Sequence, residues 1–165
     1  MQEKGILIRI IRLLPVLLVA LLLACADGLQ PVPFQGIAGG VLYRGTQPDS
    51  TEWVRLGVFS HVPVTIVDFL TFSAVSDPLP LEPDSVSYLL GLETGLYRWV
   101  PVVWKQAGVP VPDGLRILGW YTASDQPVGD PAQFLIQEDA AIEGIDLIAD
   151  FDRPLTLEEA LEALK

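Results

Sequence analysis

Residues 85–104 read Ser-Val-Ser-Tyr-Leu-Leu-Gly-Leu-Glu-Thr-Gly-Leu-Tyr-Arg-Trp-Val-Pro-Val-Val-Trp. Large apolar side chains recur at every second position in the second half of this stretch, which is the period of a β-strand. The polar residues and glycine at 93–95 separate two such runs and are typical of a tight turn. The stretch therefore predicts two consecutive strands joined by a turn.

The same period of two recurs on both sides of this pair. Predicted strands occupy residues 36–43, 53–60, 85–92, 96–104, 115–121, 134–137 and 145–151. Residues 62–69 are apolar but contain Pro63, which predicts an edge strand or an irregular passage, and the three prolines of residues 76–84 predict a loop. Seven or eight short strands at this spacing predict an all-β domain over residues 36–152, a sandwich or a barrel.

The C-terminal residues follow a different period. Thr156 and Glu159 have the spacing of a capping box, which marks the start of a helix. The leucines that follow at helical spacing are Leu157, Leu161 and Leu164. We expect a short amphipathic helix within residues 153–165, packed as a lid on the open end of the β domain, and the alternative is a helix that docks a partner.

The N-terminal residues combine basic side chains at Lys4, Arg9 and Arg12 with an uncharged apolar stretch at 13–24. Twelve apolar residues fall short of the roughly 20 that a membrane-spanning helix needs. The stretch ends in Leu22-Leu23-Ala24-Cys25, which resembles the lipobox of bacterial lipoprotein signal peptides. The resemblance implies that residues 1–24 are removed and that Cys25 carries a diacylglycerol; the alternative is an ordinary secretory signal with an incidental cysteine.

This resemblance implies an exported protein that is anchored to a membrane by its lipid, with the outer membrane favoured where the cell has one. Cys25 is the single cysteine of the chain, so no disulfide partner competes for it. Residues 25–35 contain prolines and a glycine without a useful period, which predicts a tether between lipid and fold.

The charge of the chain is strongly acidic. The net charge is −11, and because the first 24 residues carry three basic side chains and one acidic one, the remainder carries −13. Such a charge repels nucleic-acid phosphates, so we expect no nucleic-acid partner. Acidic side chains also keep exported domains soluble, which explains the charge without a ligand.

Residues 87–97, together with Gly36-Ile37-Ala38-Gly39-Gly40-Val41-Leu42-Tyr43, resemble the prealbumin-like sandwiches found in carboxypeptidase regulatory modules and transthyretin-like repeats. The resemblance implies a single Greek-key-type sandwich in which Gly95 permits a tight corner and the Tyr97 ring fills the core. It also implies a non-catalytic interaction or scaffolding module, with envelope proteins as partners, and it assigns no functional residue.

Four aromatic side chains are candidates for stacking on sugar rings, which would make the domain a carbohydrate-binding module with glycan partners: Trp99, Trp104, Trp120 and Tyr121. Trp99 and Trp104 lie five residues apart and face opposite sides of a regular strand. We therefore expect that they cannot both lie in the core and cannot both lie on an exposed surface that stacks on sugars. The alternative is that these rings fill the core of a domain without disulfides.

Two further kinds of chemistry are weaker candidates. Acidic side chains late in the chain raise the alternative of a structural calcium site, but the spacing of a calcium loop is absent and we expect no metal. A hydrolase would have to use His61 with Ser60 or Ser73 and Asp68, and no nucleophile motif surrounds either serine. We therefore expect no catalytic residues and no cofactor beyond the diacylglycerol at Cys25.

Overall fold

The computed structural model describes residues 33–124 and 126–165, and the predicted signal peptide, Cys25 and most of the predicted tether lie outside them. The described strands are β1 (Gly36–Arg44), β2 (Thr51–Val58), β3 (Ala74–Val75), β4 (Ser85–Gly91), β5 (Gly95–Tyr97), β6 (Pro101–Gln106), β7 (Leu115–Trp120), β8 (Phe134–Ile136), β9 (Ala141–Ile142) and β10 (Leu147–Asp150). A 3₁₀ helix spans Ile66–Leu70, and an α-helix, α1, spans Leu157–Ala163.

The strands form two main sheets and a small ribbon. In the first sheet the order is β10-β1-β4, and β9 also pairs with β1. β1 runs antiparallel to β4 and parallel to β9 and β10. The second sheet is antiparallel in the order β3-β2-β6-β7, and β5 pairs with β8 in the ribbon. The predicted all-β sandwich with a short C-terminal helix is confirmed.

The described part of the chain contains more and shorter strands than predicted. The run at residues 96–104 divides into β5 and β6, because Trp99 pairs only with Phe59 in an isolated bridge. β3 and β9 have two residues each, which is too short for a period to be visible. The passage at 62–69 contains the start of the 3₁₀ helix, where the side chain of Asp68 accepts hydrogen bonds from the N–H groups of Val64 and Thr65, at 2.9 Å each.

The main core lies between the two sheets. Its fully buried side chains include Ile37, Val41, Val54, Leu56, Val58, Val100, Val102, Ile136 and Ala149. At the last predicted strand the alternate residues Ile145, Leu147, Ala149 and Phe151 are all buried, as a period of two requires. Because side chains alternate along a strand, every second side chain of the strands in each sheet points into this core.

A second core covers the opposite face of the second sheet. Its buried members are Phe59, Phe69, Trp99, Leu115, Ile117, Trp120, Leu157 and Ala160. α1 packs on β7 and on the 3₁₀ helix, so the prediction of a lid on the open end of the sandwich is wrong. The predicted capping box is confirmed, because Glu159 N–H donates to Thr156 Oγ1 at 3.2 Å and Thr156 N–H donates to Glu159 Oε2 at 2.7 Å.

The prediction that Trp99 and Trp104 cannot both be core is wrong. Trp99 lies in the second core and Trp104 in the main core, with 0% and 7% of their surfaces exposed. The two rings do belong to opposite sides of the second sheet, but both sides are covered. The alternation of side chains along a strand predicted the side on which each ring lies. It could not reveal that a second core covers the other side of the sheet.

The corner around Tyr97 is partly as predicted. The Tyr97 ring is buried in the main core, and its O–H donates to the carbonyl of Glu93 at 3.0 Å. Gly95 lacks a positive φ, and a Cβ there would contact only the Tyr97 ring, at 3.9 Å. The corner therefore does not require a glycine.

The two sheets approach each other closely where β7 passes β10. Gly119 on β7 has φ +153°, and a Cβ there would lie 2.3 Å from the carbonyl oxygen of Ile148 and 2.7 Å from that of Pro127. Only a residue without a side chain permits this approach.

Lys105 on β6 is a buried cation with a complete set of acceptors. Its side chain is 8% exposed, and Nζ donates to Glu52 Oε2 at 3.1 Å and to the carbonyl oxygens of Gln106 at 2.6 Å and Val109 at 2.5 Å. An ammonium group has three donors, so this arrangement satisfies it while holding the start of the loop between β6 and β7.

Two tyrosines, the half-buried Tyr43 and the buried Tyr88, predict a loss of stability at alkaline pH. Burial raises the pKa of Tyr43 to about 12 and raises the pKa of Tyr88 still further, with Asp146 adding to the second effect. Their O–H groups donate to the carbonyls of Pro80 at 2.9 Å and Ile145 at 2.6 Å. Since the folded pKa values lie above the unfolded value of about 10, their stabilising contribution is complete below pH ~10 and is lost as pH rises through the folded values.

We therefore expect the free energy of unfolding, measured in urea, to fall between about pH 10 and pH 12. Tyrosinate absorbance should show these two groups ionising only as the domain unfolds. Tyr43→Phe and Tyr88→Phe should each make the alkaline decline shallower. Ionisation of both groups near pH 10 in a folded domain would contradict the expectation.

Candidate functional site

The aromatic residues predicted to stack on sugars are mostly buried. Trp99 and Trp120 are 0% and 1% exposed, with ring centroids 6.0 Å apart in the second core. Trp120 Nε1 donates to the carbonyl of Gly129 at 2.7 Å, and Trp104 Nε1 donates to Thr51 Oγ1 at 3.1 Å. A buried ring has no open face for a pyranose, so the stacking role predicted for these three tryptophans is wrong.

Tyr121 is half-buried and lines a groove of about 660 Å³ on the outer side of the first sheet. Polar side chains along the groove include Arg44, Asp146 and Gln126. Asp146 Oδ1 already accepts a hydrogen bond from the backbone N–H of Gly40 at 2.7 Å. Tyr121 is the only one of the four candidate rings that is not buried, so the groove lacks a pair of open rings on which a sugar could stack.

Trp53 also fails to supply a second open ring. It is half-buried beside the second core, and the Arg55 guanidinium carbon lies 5.3 Å from its ring centroid. At this distance the cation interacts with the π-system and covers one face of the indole.

The acidic residues do not converge on a metal site within the described ranges. Residues 33–124 and 126–165 contain no group of three or more His, Cys, Asp or Glu side chains close enough to hold an ion. Asp125, one of the acidic residues late in the chain, lies outside the described residues. Asp150 and Asp152 organise a turn instead, since Asp152 N–H donates to Asp150 Oδ1 at 3.0 Å and Asp152 Oδ1 accepts from Thr46 N–H at 3.2 Å.

The residues considered for a hydrolase have local structural roles. The Asp68 carboxylate caps the 3₁₀ helix, and the backbone hydrogen bonds from Val64 and Thr65 lower its pKa. His61 packs edge-on against Phe59, with ring centroids 6.4 Å apart. The hydrolase alternative gains no support from this arrangement.

Among the residues that the structure describes, no strand pairs with the outer edge of β4, and this edge forms the first candidate interaction surface. β4 pairs with β1 from Gly36↔Gly91 to Leu42↔Ser85. Two flanking hydrogen bonds fix which backbone groups of β4 point to β1. Tyr43 N–H donates to Asp84 C=O at 2.8 Å, and Leu92 N–H donates to Gln35 C=O at 3.2 Å. The N–H and C=O groups of the even-numbered residues of β4 therefore point towards β1. The N–H and C=O groups of Ser85, Ser87, Leu89 and Gly91 therefore point away from the sheet, and we call this set the β4 edge.

The β4 edge has none of the features that usually protect a sheet border. The strand has seven residues, Ser-Val-Ser-Tyr-Leu-Leu-Gly, without a charge or a proline. Residues 85, 87, 89 and 91 are exposed, Leu89 to 71%. Natural edge strands are commonly shortened, charged, bulged or covered, because an open edge accepts another strand.

The border of the second sheet is protected in contrast. There the chain from Ser73 to Leu79 runs along β2, with hydrogen bonds from Ser73 N–H to Val58 C=O at 2.7 Å, Ser76 N–H to Leu56 C=O at 2.9 Å and Leu79 N–H to Val54 C=O at 2.8 Å. Pro78 lies within this cover. The fold thus covers the border of the second sheet beside β2 and leaves the β4 edge of the first sheet available.

A second exposed feature is the apolar segment, which we define as residues 61–75. Its exposed large apolar side chains are Val64, Val67, Leu70, Phe72 and Val75. The sequence carries two signals that point to both surfaces: residues 56–97 contain no Lys or Arg, and residues 61–75 contain one carboxylate, Asp68. The strand periods alone did not reveal either surface, because they do not report which strand lies at a border.

None of the helices in the described part of the chain is both long and apolar enough to cross a membrane. Comparison of the chain with protein-family models, with curated proteins and with solved structures finds no match. The resemblances to bacterial lipoproteins and to prealbumin-like sandwiches stay predictions.

Proposed function

We propose that this chain is an exported lipoprotein, acylated at Cys25, whose β-sandwich is a non-catalytic interaction module of the cell envelope. The observation that carries the proposal is the open β4 edge. A row of unpaired backbone groups on a charge-free strand recognises another extended chain through main-chain hydrogen bonds. The lipid on Cys25 keeps the module at the membrane surface, with the outer membrane favoured where one exists.

The charges around the β4 edge define the partner. Glu82 and Asp84 precede β4 and Glu93 follows it, without a neighbouring Lys or Arg in the sequence. An extended segment of an envelope protein with an uncharged centre and basic residues at both ends complements this pattern. The central side chains of that segment would lie beside Leu89 and the serines of β4.

Proline at the β4 edge tests the proposal. Ser87→Pro removes an N–H that points away from β1, so the β1–β4 hydrogen bonds are retained, and proline is tolerated on such edges. Loss of one backbone hydrogen bond and the added ring should reduce partner pairing about tenfold, while Ser87→Thr retains the N–H and should bind as the parent does.

The measurement is photo-crosslinking in intact cells, with a photoreactive side chain at Leu89 in the full-length chain. We expect an adduct of defined size in the parent and in Ser87→Thr, and its loss in Ser87→Pro. An absent adduct in the parent, or an adduct that survives Ser87→Pro in a folded protein, contradicts strand addition at this edge.

A further inference from the structure

The apolar segment presents apolar side chains on two sides. Ile66 and Phe69 point inward, and Phe69 is 7% exposed with its ring centroid 5.4 Å from that of Trp99. On the outer side Val64 and Val67 are 79% and 67% exposed. The inner contacts hold the segment on the second core, so its outer side chains cannot turn into the domain. Exposed apolar groups clustered in this way mark a surface that contacts something else.

The near absence of charged side chains in the apolar segment favours contact with an uncharged lipid surface. Its one carboxylate, Asp68, accepts the N–H groups of Val64 and Thr65 and so is engaged by the segment's own backbone. The nearest basic residues in sequence are Arg55 and Arg98. The segment thus carries no Lys or Arg that could bind anionic headgroups, and it carries a single carboxylate, which its own backbone N–H groups hold.

The base of the apolar segment lies beside the point where the N-terminal tether reaches the domain. Ser60, Ser73 and Ala74 line a depression of about 640 Å³ together with residues 91–97. Leu92 in that stretch is bonded to Gln35 twice, by Leu92 N–H to Gln35 C=O at 3.2 Å and by Gln35 Nε2 to Leu92 C=O at 2.8 Å. The tether and the apolar segment therefore reach the fold at neighbouring places.

The length of the tether restricts which side of the domain can face a bilayer. Cys25 and Pro33 are eight residues apart, which spans at most about 30 Å when fully extended. A domain of this length is about 35 Å across, so the tether is shorter than the domain is wide. A lipid at Cys25 holds the side near Gln35 closest to the membrane.

We propose that the apolar segment inserts its exposed side chains into the interface of the bilayer that holds the lipid anchor. This inference rests on the proposed acylation of Cys25. Val67 and Phe72 enter the boundary between headgroups and acyl chains, to the depth of about 5–10 Å typical of interfacial segments. The two attachments, lipid and segment, fix the orientation of the domain. Gly91 at one end of the β4 edge lies near the tether, and Ser85, opposite Leu42, is at the far end, where a partner can pair.

The test uses the full-length chain, purified from membranes with its lipid and placed in phosphatidylcholine vesicles with or without brominated acyl chains. Val67→Cys, Phe72→Cys and Leu42→Cys each accept an environment-sensitive fluorophore, because acylation blocks the only native thiol. Leu42 is the control, since its side chain is 43% exposed and it lies at the end of the β1–β4 pair away from Gln35. Emission of the buried tryptophans verifies folding of each variant.

We expect the labels at 67 and 72 to shift to shorter wavelength on vesicles and to lose about half their emission to brominated lipid, while the label at 42 stays unchanged. If the protein floats with the vesicles but brominated lipid does not quench the labels at 67 and 72, the inferred insertion is wrong and the lipid anchor is retained. Labelling of Cys25 in the parent protein, with no flotation, overturns the anchor and with it this inference.

Discussion

Gly119→Ala is expected to destabilise the domain by about 3–5 kcal/mol, a large part of the 5–15 kcal/mol typical of a folded domain. The added methyl would meet the carbonyl oxygen of Ile148 at 2.3 Å and that of Pro127 at 2.7 Å, and both are backbone atoms that cannot rotate away. The φ of +153° adds strain, because residues with a Cβ rarely adopt it. β7 and β10 would have to separate.

Urea unfolding followed by tryptophan emission measures this effect, since Trp120 adjoins the substituted position. Gly91→Ala is the matched control, because a Cβ at position 91 would find its nearest atom at 3.9 Å and the residue lacks a positive φ. We expect the control to lie within about 1 kcal/mol of the parent. Equal stabilities for the two variants would show that β7 and β10 are not held together at Gly119.

Lys105→Met is expected to destabilise the domain by about 2–4 kcal/mol. Methionine fills most of the volume of the lysine stem but leaves the carbonyls of Gln106 and Val109 without their donor. Glu52 also loses its partner, although its side chain is 48% exposed and water replaces much of that interaction. The main loss therefore comes from the two backbone acceptors at the start of the β6–β7 loop.

Lys165→Met is the control for Lys105→Met. Lys165 also pairs with a glutamate, Glu162, but both side chains are exposed, at 69% and 74%. Exposed pairs contribute about 0–1 kcal/mol, so unfolding in urea should barely change. Glu52→Gln separates the ion pair from the backbone contacts and should lie much nearer to the parent than Lys105→Met does. A Lys105→Met protein as stable as the Lys165→Met protein would contradict the role assigned to Nζ.

The sequence carried enough information for the strands of the main core and for the helix cap. Val54, Leu56 and the row from Ile145 to Phe151 follow a period of two because one side of each strand is buried. Thr156 and Glu159 form a local hydrogen-bonded motif, so their spacing alone predicts it. Such features depend on residues that are neighbours along the chain.

Features that depend on distant residues were not predictable in the same way. The Trp99 ring is buried because Phe59, Phe69 and Trp120 surround it, and all three lie far from it in the sequence. The main core covers one face of the second sheet and the second core covers the other, so a rule based on one buried face misassigned the tryptophans. The border position of β4 depends on which strand pairs with β1, and a period of two contains no such information.

The pairing of β1 sets an order of events for the chain as a whole. β1 is the first of the described strands, yet one of its two sides is completed only by β9 and β10, with Val41 opposite Leu147. These partners are synthesised after β2 to β8, and pairings between such distant residues form slowly. A chain that emerges from its N-terminus therefore keeps β1 half-paired until residues 141–150 have emerged, which fits the export as an unfolded chain that the proposed lipid anchor implies.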